Sequence, residues 1–417
     1  MLQTLPPSVS RLMDERKEGH ALPAGLYTRN DVFEADLDVF FHNHWICIGL
    51  ESDVPEPGDA CVVDIGKSSL ILLRDDANEI RVLHNVCRHR GSRLLDPGKT
   101  IISKLVCPYH TWTYELTGEL SYAPHMGQDF KKECHNLKAV NFKSIGGLIY
   151  VCLSDNPPAD IDRLEQVMTE RLAPYDLPNT KVAFQSDVVE DGNWKLTMEN
   201  NRECYHCSAN HPELCVSFVD LDFGFDPESL SPEDKEEAER HLALYEEQTT
   251  LWEAEGHLST AVEQLVDCAT NFRTQRLIIS GAGESQTPDA TAASAKLLGS
   301  ITRKDLGDTH LWGHNSWTHF MSDHAVVVIV IPLSADKTLV RTKWLVHKDA
   351  VEGVDYELEK LTSVWLATTE QDAQLVARSH AGASDPAYIP GPYSRFSETN
   401  LDKFATWYVD RMRAHGY

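Results

Sequence analysis

Cys87-Arg88-His89, followed seventeen residues later by Cys107-Pro108-Tyr109-His110, decides how this chain is read. Each half offers one soft thiolate and one imidazole. Together they suit a [2Fe–2S] cluster with Cys87 and Cys107 on one iron and His89 and His110 on the other. Replacing two thiolates with neutral imidazoles makes the centre less electron-rich, so its potential lies above that of an all-cysteine cluster. Such a centre accepts electrons from a ferredoxin-like donor and passes them on. Cys₂His₂ also suits tetrahedral zinc, but a zinc finger keeps its cysteines in one half and its histidines in the other.

Around this motif, residues 46–155 read as a β-rich domain. Cys61–Ile65, Leu70–Leu73 and Leu148–Val151 have strand character, with Gly and Pro between them. The motif falls on two loops, the second stiffened by Pro108. Ser154-Asp155-Asn156-Pro157-Pro158 breaks the pattern and marks the domain exit. Residues 1–45 read as a helical lead-in. Residues 156–417 mix helices and strands. Within them Asn193–Ser208 reads as a helix, Pro227 to about Glu255 as an acidic helix starting near Ser231, and Ser280–Ala293 as a loop. Ala325–Ile331 and Thr338–Val346 read as strands paired around Ser334-Ala335-Asp336, and Asp355 to about Arg378 as a long helix.

The Asn193–Ser208 segment carries a second cluster of metal-type residues. Glu199, Glu203 and His206 stand at i, i+4 and i+7, one face of a helix. His211 lies off that face, so the helix must distort or end near Asn210, and Pro212 agrees with a break. Two histidines and a distant carboxylate form the facial triad of mononuclear non-haem Fe(II). Asp372 is the best third ligand and Glu370 the next. Cys204-Tyr205-His206-Cys207 also contains a CxxC, but no second cysteine pair follows at zinc spacing.

The charge is strongly acidic, with 38 Lys and Arg against 64 Asp and Glu, a net −26. This argues against nucleic-acid binding; it would favour approach of a cationic small molecule, but solubility is the plainer reading. The ten cysteines form no disulfide framework. No apolar signal core opens the chain, and the longest apolar run, Ala325–Ile331, is too short to span a membrane. A reducing cytoplasm follows as the expectation.

The cluster motif followed by Glu199-x₃-Glu203-x₂-His206-x₄-His211 resembles the large subunit of the Rieske non-haem iron oxygenases, over nearly the whole chain. Asn200–Cys207, Trp344–Tyr356 and Pro386–Tyr393 are similar to the branch acting on quaternary ammonium compounds, namely glycine betaine, proline betaine, carnitine and choline. Glu203 stands where most of the family has Asp, as that branch does. Thr369-Glu370-Gln371-Asp372 departs from its usual Asn-Glu-Gln-Asp, and residues 218–300 match poorly.

The resemblance implies an α+β fold: an N-terminal Rieske domain and a C-terminal helix-grip (START-like) catalytic domain with an antiparallel sheet, on which the lead-in packs. It implies a homotrimer in which His110 of one chain meets Glu203 of the next. It also implies electrons from NAD(P)H through a separate flavin and [2Fe–2S] reductase, and this chain carries no nucleotide fingerprint of its own. The implied reaction is O₂-dependent hydroxylation of an N-methyl group with loss of formaldehyde, glycine betaine ahead of proline betaine. Carnitine or choline oxidation, aromatic-ring hydroxylation, or electron carriage without oxygenation are the alternatives. A quaternary ammonium calls for aromatic faces. Trp317 is the first choice, then Tyr205, Phe320 and Trp312, all of which suit an apolar core equally. The sequence does not single out an Arg, Lys or backbone N–H for a substrate carboxylate.

Overall fold

The computed structural model describes residues 8–417. The first seven residues of the expected lead-in lie outside them. From Val9 three short helices lead to a π-helical turn, Leu37–His42, and into the first strand, Ile46–Leu50. Three small antiparallel sheets form the β-rich domain. One joins Ile46–Leu50, Leu148–Cys152 and Asn141–Ile145. A second orders Ile80–His84, Ser68–Arg74, Asp59–Ile65 and Gly98–Ile101. The third contains Leu105–Val106, Thr113–Tyr114 and Leu120–Tyr122. The first sheet and one face of the second join the main core, while Leu83, Leu94, Leu105, Trp112 and Tyr114 form a small separate core together with Cys87 and Cys107.

The larger domain is one seven-stranded antiparallel sheet. Its order is Thr180–Glu190, Lys337–His347, His324–Ser334, Ser316–Phe320, Asp308–Trp312, Phe272–Leu277 and Val262–Gln264. The run Ala-Val-Val-Val-Ile-Val-Ile makes the central strand. Its β-branched residues are buried on both faces, with the helix Trp194–Asn200 and the strand Ile46–Leu50 packed against them. The expected hairpin is present, with Ser334 opposite Lys337. The helix Leu358–Ala383 lies against the Thr180–Glu190 strand and the helix Trp194–Asn200. Leu361, Trp365, Thr368, Asp372 and Val376 follow its inward 3–4 spacing. The acidic helix, Pro232–Ala254, starts where read, its N-cap Ser231 accepting from the Asp234 N–H.

Polar side chains join the parts. Asn315 of the sheet hairpin accepts from Cys47 N–H and donates to Cys47 O, at 3.0 and 2.9 Å. Asp53 is held by Lys343 and by Lys99. Asp36 of the lead-in is fully buried and accepts from Lys195, from Trp194 Nε1 (2.9 Å) and from Tyr408 OH (2.7 Å). Lys195 is equally buried, and burial lowers its pKa against the pull of Asp36. Removing one member of such a pair strands the other charge. Asp36→Ala should therefore destabilise the protein by about 3–5 kcal/mol, read as a lower urea midpoint. A change below about 1 kcal/mol, the range of an exposed ion pair, would show that this clamp does not hold the lead-in down.

Candidate active site

The segment from Asn193 folds as a helix for only seven residues, Trp194–Asn200, not through Ser208 as the spacing suggested. Asn193 caps its start, with Oδ1 accepting from Lys195 N–H at 3.1 Å. Past Asn200 the side chains compete for backbone donors, and Glu203 accepts from the Tyr205 N–H, holding the chain in turns. A four-residue helix, Cys207–Asn210, follows, and His206 and His211 flank it. Glu199 therefore shares no face with His206. It is buried, accepts from the Tyr27 hydroxyl at 2.9 and 3.0 Å, and burial pushes it up to about 7.

The turn brings the two imidazoles together, ring centroids 5.0 Å apart. Their Nε2 atoms face one carboxylate oxygen. Asp372 Oδ1 is 3.1 Å from His211 Nε2 and 3.5 Å from His206 Nε2. The opposite ring edges are held. His206 Nδ1 donates to Glu203 Oε1 at 2.6 Å, and His211 Nδ1 donates to Gln371 Oε1 at 2.8 Å. Asn200 Nδ2 donates to Asp372 Oδ1 at 3.0 Å. Fixing Nδ1–H on both rings turns both Nε2 atoms toward one point, with His211 Nε2 lacking a hydrogen-bond partner and His206 Nε2 meeting the Asn200 amide at 3.3 Å, an arrangement that suits one ion. Glu370, by contrast, is exposed on another face of the long helix.

Charge agrees with this geometry. Burial would lower the His206 imidazole, but Asp372 and then Glu203 outweigh it and hold it at about 9. Asp372 is held below the usual carboxylate range because the two imidazoles outweigh its burial. The arrangement therefore attracts positive charge, and a divalent ion would displace protons from it. Cys207 also lies within 4.8 Å of both histidines. Its sulfur is bonded to Cys204, so it offers no thiolate. The sequence, read as carrying no disulfide framework, did not point to this local bridge.

A small cavity of about 40 Å³, partly open to solvent, adjoins this trio. Phe218, Phe223, Trp365, Thr368, His310 and His319 line it. The four aromatics favoured from the sequence are not brought together there. Phe320 is fully buried against Tyr175, Trp312 and Trp317 oppose each other with Trp312 packed on Phe223 and His310, and Tyr205 is 71 % exposed beside a different groove. Every residue of both strands, Asp308–Trp312 and Ser316–Phe320, is buried, so no inside–outside alternation marks the side facing His206, His211 and Asp372. One signal was available. Gly313-His314-Asn315-Ser316 reads as a tight turn, and a hairpin closed by Gly313 and Ser316 sets His310 opposite His319, as observed.

At the other centre, Cys87 and Cys107 are buried and the rings of His89 and His110 lie 4.5 Å apart. The two loops are built alike: Gly91 N–H donates to Cys87 O and Thr111 N–H to Cys107 O, both at 3.0 Å. Gly91 and Thr111 both take positive φ, 76° and 58°. For β-branched Thr111 that conformation is strained, a cost of about 1–3 kcal/mol that structures tolerate at functional sites. Tyr114 OH accepts from Arg88 N–H, which turns its own proton toward Cys87 Sγ, 3.3 Å away. A hydrogen bond to the sulfur raises a cluster's potential. The Nδ1 atoms of His89 and His110 are buried without a partner in the chain. Two unpartnered imidazole nitrogens beside two buried sulfurs fit a [2Fe–2S] cluster bound through Nδ1.

Residues 44–142, which contain all four of these side chains, match the Rieske [2Fe-2S] domain, and residues 177–414 match the ring hydroxylating alpha subunit (catalytic domain). The glycine betaine monooxygenase oxygenase subunit of Chromohalobacter salexigens is 42 % identical over 96 % of this chain and 88 % of its own length. That of Pseudomonas aeruginosa is 40 % identical over 96 % and 91 %. Among solved structures, a quaternary ammonium Rieske monooxygenase in complex with L-carnitine has a TM-score of 0.69 at 19 % identity, over 99 % of this chain and all of that one. Naphthalene 1,2-dioxygenase from Rhodococcus has a TM-score of 0.67 at 20 % identity, over 98 % and 99 %. These two likenesses concern the fold, and they agree with a sheet that grips one long helix behind a Rieske domain. With its catalytic domain matched over more than half its length and 42 % identity across nearly all of it, the chain belongs to the Rieske non-haem iron oxygenases, as an oxygenase subunit.

Proposed function

We propose that this protein hydroxylates an N-methyl group of glycine betaine, and that the product loses formaldehyde to leave dimethylglycine. The observation that carries this is the cavity beside His206, His211 and Asp372, with aromatic Phe218, Phe223 and Trp365 and polar His310 and His319. A quaternary ammonium has no N–H to donate and cannot be neutralised, so aromatic faces are its natural surroundings. A purely hydrocarbon ring would leave the buried histidines unpaired, which weighs against aromatic hydroxylation. Identity to the glycine betaine enzymes supports the same substrate. Proline betaine, a cyclic analogue with the same two charges, is the next candidate.

In this reading His206, His211 and Asp372 hold Fe(II), and Cys87, His89, Cys107 and His110 hold the cluster. Bound there, the iron supplies O₂ activation with two electrons that a separate flavin and [2Fe–2S] reductase delivers from NAD(P)H. Glu203 and Gln371 fix the imidazole tautomers, and Asn200 orients Asp372. Phe218, Phe223 and Trp365 seat the ammonium so that a methyl group faces the iron. One oxygen atom of O₂ enters the C–H bond and the other leaves as water. The carbinolamine then breaks its C–N bond, its O–H proton ends on nitrogen, and formaldehyde departs.

The functional unit in this reading is a head-to-tail trimer. The cluster end is a surface, with Tyr109 57 %, Val106 47 % and Val86 40 % exposed. Glu203 lies just beneath exposed Tyr205. Each patch suits contact with the other on a neighbouring chain. Purified protein loaded with cluster and iron, given a surrogate reductase, NADH and O₂, should release formaldehyde from glycine betaine in step with NADH consumption. Silence with glycine betaine, proline betaine, carnitine and choline alike would sink the quaternary-ammonium reading.

A further inference from the structure

One wall of the cavity has no part in holding iron or facing a cation. His310 and His319 are directly opposed on adjacent strands, and their rings stack at 4.6 Å and 22°. The other face of His319 is covered by Trp365, centroids 4.3 Å apart. Its Nδ1 edge lies 2.6 Å from Asp308 Oδ2. Asp308 is buried and also accepts from Gln286 Nε2 (3.0 Å) and Phe320 N–H (3.0 Å), while Gln286 Oε1 accepts from Trp365 Nε1 (2.9 Å). His319 is thus gripped on two faces and one edge. Both histidines are only 2 % exposed, both line the cavity, and both Nε2 atoms lack a partner in the chain.

We propose that His319, positioned by Asp308 and seconded by His310, receives the carboxylate of the betaine substrate, so that this wall selects zwitterions over plain quaternary cations. The proposal rests on the betaine reading above and deepens it. Asp308 accepts the Nδ1 proton, so a substrate carboxylate at the free Nε2 edge completes a carboxylate–imidazole–carboxylate chain in which both ring nitrogens donate. A stacked pair tolerates one positive charge and not two. Burial, then His319 and Arg273, hold His310 far below the usual imidazole range, so it stays a neutral donor. Cation and anion of the substrate then meet opposite partners: Phe218 and Phe223 for the ammonium, His319 for the carboxylate. Trp365 borders both, which suits a ligand whose charges are one methylene apart.

The test compares glycine betaine with choline, which keeps the trimethylammonium but not the carboxylate. Affinities are measured by calorimetry on the loaded holoenzyme, and KM and kcat by formaldehyde release from glycine betaine. His319→Gln should raise the Kd and KM for glycine betaine on the order of 10–100-fold, the usual effect of losing a charge-assisted hydrogen bond. The kcat should change less, and choline binding should stay within about twofold. Asp308→Asn, which keeps shape and removes charge, should weaken glycine betaine in the same direction. Unchanged glycine betaine affinity in both variants, or equal loss for both ligands, would overturn the anchor while leaving N-demethylation intact. Failure of the unmodified enzyme to bind or demethylate any betaine would overturn the functional reading and the anchor with it.

Discussion

Asp372→Ala should leave the visible spectrum of the cluster unchanged, strip the mononuclear iron, and abolish formaldehyde release. The two effects separate because the centres sit in different cores. Cys87 and Cys107 belong to the small β-rich core, whereas Asp372 is on the helix Leu358–Ala383, against the large sheet. Losing a group that merely orients a ligand lowers metal affinity by about 10–100-fold. Losing the only anionic ligand of a proposed three-ligand site should exceed the upper end of that range. Asp372 also offsets the burial of His206 and His211, so its removal takes away the field that attracts a cation. Glu370→Ala is the matched control, because that carboxylate is exposed two residues away on the same helix. Metal analysis and single-turnover formaldehyde yield check both. Full iron content in Asp372→Ala would move the third ligand elsewhere. Loss of iron in Glu370→Ala instead would reverse the choice between the two carboxylates.

The sequence disclosed what depends on chemistry and local spacing, and hid what depends on register. Cys87, His89, Cys107 and His110 could be read because the two halves are short and the ligand types unusual. The hairpin 324–347 could be read from an unbroken β-branched run around Ser334-Ala335-Asp336. Helix arithmetic failed at Glu199, since it presumed a helix that the chain ends at Asn200 in favour of side-chain to backbone hydrogen bonds around Glu203. His206 and His211 meet because of that ending: a five-residue separation spans two sides of a straight helix but flanks a four-residue one. The cavity wall was hidden for another reason. Trp312 and Trp317 carry the larger aromatic area, yet it is His310 and His319, two residues along the same strands, that line the cavity. Size is a guide to burial. It does not say which end of a hairpin meets a helix far along the chain, as His319 meets Trp365.

Glu203→Gln should retain iron and cluster yet lower turnover by at least about 100-fold, and activity should return when this variant is co-assembled with His110→Ala. The glutamine is chosen over alanine because Glu203 Oε1 accepts from His206 Nδ1 at 2.6 Å. An amide oxygen can still accept that bond, whereas alanine would free the ring and weaken iron by about 10–100-fold. What glutamine lacks is the negative charge that lets one carboxylate accept from imidazoles on both sides. In the proposed trimer those are His206 of the same chain and His110 of the partner subunit. A Glu203→Gln chain then has a working cluster beside an iron it cannot feed. A His110→Ala chain has no working cluster but keeps Glu203 and its iron. Alone, each is inactive. In mixed trimers the cluster of the first faces the intact Glu203 of the second, and electrons again have a path. Transfer within a single chain predicts no recovery at any mixing ratio, because no chain contains both working halves. Recovery that follows the statistics of random co-assembly would establish that the neighbour supplies the electrons, and absence of recovery in verified mixed trimers would remove Glu203 from that path.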